Sequence, residues 1–103
     1  TFRAREQAEI AAAKAALLEG SDEGYAGCCE ALGTSDLGAE LGAIRAPTLL
    51  IAGEADVSTP PADLEDLERA IEGASLLVIP GAGHILNREA PEQVTDAVLA
   101  HLE

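Results

Sequence analysis

The sequence predicts an α/β chain, with helices first and then a strand–helix–strand–helix unit of a parallel sheet. Three observations carry this reading. Residues 48–52 and 75–79 are short apolar runs bounded by proline and glycine, too short for free-standing helices and suited to buried parallel strands. Between them Leu64, Leu67 and Ile71 recur at three- and four-residue spacing, the pattern of one apolar helix face. Ahead of both runs lies alanine-rich sequence of high helix propensity.

The elements follow in order. Residues 5–19 read as a helix, because alanine, Leu17, Leu18, glutamate, glutamine and lysine all favour it, and Gly20 suits its end. Ser21 is placed to cap a second helix, with Asp22 and Glu23 in a first turn that favours negative charge. That helix passes Tyr25 and Leu32 despite Gly24 and Gly27, and Gly33 is its expected stop. A short helical turn is expected from Asp36 to about Leu41. Pro47 then pushes Ala46 out of the helical region, and the first strand begins. Pro60 and Pro61 open the amphipathic helix, which is expected to end at Gly73. The second strand stops at Pro80-Gly81, and a glycine-bearing loop holds His84. The last helix starts near Pro91, with Val94, Val98 and Leu102 on one face.

Composition excludes several classes of function. A formal net charge of −13 argues against nucleic-acid binding, which needs clustered Lys and Arg. No apolar run is long enough to span a membrane. Aromatics make up only 2% of the residues, so the core rests on small and aliphatic side chains and is marginal at 103 residues. Two strands alone also make a poor parallel sheet. The expectation is that the chain packs against a missing N-terminal half or another copy of itself. It opens at Thr1 without methionine, which fits a fragment, a processed chain or a trimmed one. Cys28 and Cys29 are adjacent, too close to bridge each other readily, and lack neighbouring metal ligands. They read as free, partly buried helix cysteines in a reducing compartment, the cytoplasm.

Chemistry gathers after the two strands. Asp56 follows the first and His84 the second, one helix-and-strand step apart. A right-handed crossover puts both loops on one edge of the sheet, where the carboxylate can reach the imidazole. Alone, each residue has an ordinary explanation: aspartate forms turns, and a loop histidine is commonly just exposed. Together, at matching strand ends, they read as the orienting acid and the base of a Ser-His-Asp apparatus. The nucleophile is missing from that reading. Ser21, Ser35, Ser58 and Ser75 all lack the Gly-x-Ser-x-Gly context. His101 suits the C-terminal end of a helix and is assigned no chemistry.

The stretch from Ala46 to His84 resembles the closing section of the α/β-hydrolase fold. The matching residues are Ala46-Pro47-Thr48-Leu49, Gly53-Glu54-Ala55-Asp56, Pro60 and Pro80-Gly81-Ala82-Gly83-His84, with Asn87-Arg88-Glu89-Ala90-Pro91-Glu92 downstream. Glu23-Gly24-Tyr25-Ala26-Gly27-Cys28-Cys29-Glu30-Ala31-Leu32, then Asp36-Leu37, is similar to the cap segment of 3-oxoadipate enol-lactonases, and residues 2–6 resemble that cap too. The resemblance implies the C-terminal portion of an α/β-hydrolase, with residues 1–45 as a helical cap segment and 46–103 as part of the core. It implies Asp56 as triad acid and His84 as base, hydrolysis of a small-molecule lactone or ester in aromatic-compound degradation, and no metal or cofactor. Arg3 and Arg5 are the early cap candidates to offset the substrate's carboxylate, with solvated helix ends as their ordinary explanation. Three other readings stand beside the lactonase: another carboxylesterase, a haloperoxidase-like hydrolase, or a non-catalytic association module.

Overall fold

The computed structural model describes residues 7–103, which fall into two compact units divided between Leu37 and Gly38. In the first, α1 (Gln7–Glu19) ends where the Gly20 N–H turns back to the Leu17 carbonyl. Helix α2 (Asp22–Thr34) begins as expected: the Ser21 hydroxyl accepts the Gly24 N–H at 3.1 Å, a cap worth about 1 kcal/mol. It runs past Gly33. The Thr34 hydroxyl donates to the Glu30 carbonyl at 2.9 Å, and the Ser35 hydroxyl to that of Ala31 at 2.6 Å. These hydroxyls add bonds to carbonyls of the last turn, and the Ser35 N–H closes it on the Ala31 carbonyl. Cys28 and Cys29 are free, and both are exposed rather than partly buried.

The second unit holds a 3₁₀ turn (Gly38–Ala43), β1 (Leu49–Gly53), α3 (Pro61–Ala70), β2 (Ser75–Ile79), α4 (Leu86–Glu89) and α5 (Pro91–Leu102). Strands β1 and β2 pair in parallel, in register from Leu49 opposite Ser75 to Gly53 opposite Ile79. Parallel neighbours need a crossover, and α3 supplies it while packing on both strands. Helix α3 stops at Ala70, earlier than Gly73. Ile71 leaves the helix in extended conformation and is buried, and Gly73 takes φ +77° to turn the chain into β2. Glu68 of α3 accepts the Leu76 N–H at 2.8 Å.

The core lies under the carboxyl ends of the strands. Ile79, Ala82 and Ala90 are buried together, with Ile51, Leu86 and Val94 packed against them. Away from it the apolar surface is open: Leu77 and Val78 of β2 are each 37% exposed, and Val98, Leu99 and Leu102 of α5 face outward. Among the described residues no helix is long and apolar enough to cross a membrane.

Candidate active site

The site is built where the two strands end. Gly53 closes β1 against the loop that follows β2. A Cβ there would stand 2.5 Å from the Ala82 carbonyl oxygen and closer still to that of Gly83. Lacking one, the backbones approach and lace together: the Glu54 N–H donates to the Ile79 carbonyl at 3.0 Å and the Ala55 N–H to that of Ala82 at 2.8 Å. This lacing fixes the spacing of the residues that follow on each side, Asp56 and His84.

Asp56 is buried, with 8% of its surface exposed. Its Oδ1 accepts the backbone N–H groups of Ser58 at 2.8 Å and Thr59 at 3.1 Å, the turn expected of a post-strand aspartate. Its Oδ2 accepts the Thr59 hydroxyl at 2.8 Å and lies 2.9 Å from His84 Nδ1. The turn and the pairing are therefore served by different carboxylate oxygens. The imidazole beside Asp56 is the main cause that holds its carboxyl well below the usual carboxylate range; burial opposes this, and the Thr59 and Ser58 donors reinforce it.

His84 sits on the loop after β2, which Gly81 turns at φ +69°. Its ring is half-exposed, and among the described residues its hydrogen-bonding neighbours are Asp56 and, at 3.4 Å, the Thr59 hydroxyl, both at Nδ1. Donation from Nδ1–H to Asp56 selects the tautomer whose Nε2 lone pair points away from the carboxylate, ready to take a proton. The structure thus brings together Asp56 and His84, as the strand ends predicted.

The four serines lie elsewhere in function. Ser21 and Ser35 flank α2, Ser75 opens β2, and Ser58 serves Asp56 through its backbone; none hydrogen-bonds His84. His101 Nε2 lies 3.3 Å from the Pro47 carbonyl, a tie between α5 and the entry to β1. Arg3 and Arg5 are outside the described residues. Among the described residues no three His, Cys, Asp or Glu side chains converge as a metal site. Sequence reasoning missed two polar residues of the site. Thr59 stands three positions after Asp56, the spacing of a side-chain turn, which was a usable signal. Glu89 accepts N–H groups of the His84 loop and gave no such signal.

The Asp56 carboxyl is more acidic folded than unfolded, where it sits near 3.8, so its stabilisation is present above that value and lost as pH falls below it. The parent chain is therefore expected to lose more urea resistance between neutral pH and pH of about 3 than Asp56→Asn does. Equal losses in the two proteins would remove the pairing from the folded state in solution.

Comparison with known proteins extends this picture. The family model of the alpha/beta hydrolase fold matches residues 8–91. The 3-oxoadipate enol-lactonase 2 of Acinetobacter baylyi is 44% identical over 84 residues, 82% of this chain and 31% of that protein. A pimeloyl-[acyl-carrier protein] methyl ester esterase from Nitrosomonas europaea is 40% identical over 62 residues, 60% of this chain and 25% of that protein. The crystal structure of the enol-lactonase from Burkholderia xenovorans LB400 superposes with a TM-score of 0.91 at 34% identity, over 98% of this chain and 38% of that one. The chain spans less than a third of the length of these curated relatives.

Proposed function

The chain belongs to the α/β-hydrolase fold family, and from that premise we propose that it is the C-terminal part of a serine hydrolase of the 3-oxoadipate enol-lactonase kind. Asp56 is the triad acid and His84 the base. The serine and the groups that bind the oxyanion come from an N-terminal half, which also covers the open faces of β2 and α5. Residues 1–45 contribute to the cap and 46–103 to the core. The observation that supports this reading most is the 2.9 Å contact between Asp56 and His84 Nδ1, which leaves Nε2 outward.

In this reaction the serine oxygen attacks the lactone carbonyl while His84 Nε2 takes its proton. The ring C–O bond then breaks, and the leaving oxygen receives that proton from His84. Because the leaving oxygen belongs to the ring, one open acyl chain stays attached to serine. Water, deprotonated by His84, then attacks the acyl carbon; the bond to the serine oxygen breaks, that oxygen takes the proton back from His84, and the acyl chain leaves as the free acid. Every step is acid–base or acyl transfer, so no metal or cofactor takes part. The free, exposed Cys28 and Cys29 suit a reducing, cytoplasmic setting.

A second reading, a hydrolase of open-chain esters, is favoured by the likeness to the methyl ester esterase. The test is to treat the complete hydrolase with a fluorophosphonate and locate the label by mass. A labelled serine outside this chain, with faster turnover of enol-lactone than of simple methyl esters, is expected. Label on Ser21, Ser35, Ser58 or Ser75 would overturn the proposal, and preference for open-chain esters would favour the second reading.

A further inference from the structure

We propose that Glu89 is a positioning residue for His84, an inference that rests on the catalytic reading of His84. Among the described residues the imidazole is tethered by one nitrogen only, and its ring is half-exposed. Its aim depends on the backbone that carries it. That backbone is gripped on both sides by one carboxylate: Glu89 Oε2 accepts the Gly83 N–H at 2.7 Å, and Oε1 accepts the Ile85 N–H at 3.1 Å. The N–H groups of the two residues on either side of His84 are thus held by a single carboxylate fork.

The fork has its own foundation. Glu89 ends α4, its N–H donates to the Ile85 carbonyl at 3.0 Å, and the next residue, Ala90, is buried in the core beneath the loop. Gly83 eases the close approach, because a Cβ there would lie 3.1 and 3.2 Å from the two carboxylate oxygens. A second carboxylate, Glu54 Oε2, accepts the Gly81 N–H at 2.8 Å. It clasps the same loop but three residues before His84, and from an exposed position. The pair offers an internal comparison: both hold loop backbone, and only Glu89 brackets the base.

A helix-capping role alone would make Glu89 matter for stability, whereas a positioning role makes it matter for turnover. The test is steady-state kinetics of the complete hydrolase as Glu89→Gln, Glu89→Ala and Glu54→Gln, each with its melting temperature, and with His84→Ala as reference. Glutamine keeps one acceptor oxygen and sets an amide NH₂ against the other peptide N–H. Glu89→Gln is expected to lower kcat by about tenfold with KM changed less than about twofold, since small misplacements of a base are costly to rate and not to binding. Glu54→Gln is expected to stay within about threefold of the parent. Should Glu89→Ala fail to fold, the isosteric glutamine variant carries the comparison. A Glu89→Gln enzyme with unchanged kcat, or with a loss no larger than that of Glu54→Gln, overturns the inference while the reading of His84 stands. An unchanged His84→Ala enzyme overturns both.

Discussion

On the proposed mechanism, replacing His84 with alanine in the complete hydrolase is expected to lower kcat/KM by on the order of 10³-fold or more, because the variant would lack the group assigned to move the serine proton in both halves of the reaction. The fold should be little affected. The ring is half-exposed, and Asp56 keeps its three other donors, the Ser58 and Thr59 N–H groups and the Thr59 hydroxyl. The lost hydrogen bond accounts for about 1 kcal/mol, a shift of a few degrees in melting temperature. Turnover within tenfold of the parent would remove His84 from the mechanism. A loss with a collapsed melting temperature would instead make it a structural residue.

Gly53→Ala is expected to give the largest loss of stability. One methyl group placed at the end of β1 meets the carbonyl oxygens of Ala82 and Gly83. Both are backbone atoms, and neither can rotate aside as a side chain would. The 2.8 Å bond from Ala55 to Ala82 must open, or the loop after β2 must lift from the core that Ala82 helps to form. Overpacking of this kind costs about 1–3 kcal/mol where side chains can adjust, and the upper part of that range or beyond is expected here. The same movement separates Asp56 from His84, so residual activity should fall further than the folded fraction does. Urea titration beside kinetics measures both, and an alanine variant with an unshifted midpoint would refute the close approach.

Much of the second unit was legible in the sequence because its signals are local. Pro47, Gly53, Pro60 and Pro80 punctuate the strands and α3, and a right-handed crossover puts their carboxyl ends on one edge, so the meeting of Asp56 and His84 could be anticipated. The misplaced boundaries have a common cause: tertiary or side-chain partners overrode propensity. Ile71 leaves α3 because its side chain is buried where the chain turns, and α2 runs through Gly33 with the Thr34 and Ser35 hydroxyls adding bonds within its last turn. Helix α4 is a single turn, too short to show a period. Glu89 stood in the sequence as part of a family resemblance, but its hold on the loop could not be read, since a long side chain reaching backbone leaves no spacing rule. Cysteine exposure depends on what covers a helix face, which the local sequence of α2 does not encode.

The bond from Leu76 to Glu68 bears on how the sheet can grow. Leu76 follows Ser75, whose N–H donates to Thr48 across the sheet, so the Leu76 N–H points to the opposite margin of β2. There a carboxylate already occupies a donor that an incoming strand would need. A strand adding on that side would have to expel Glu68 and bury or displace its charge, a standard deterrent to edge-to-edge aggregation. β2 is thereby guarded at its outer margin, whereas among the described residues no strand pairs with the outer margin of β1. The strap carried by the crossover helix gives the two-stranded ribbon a closed side and an open one.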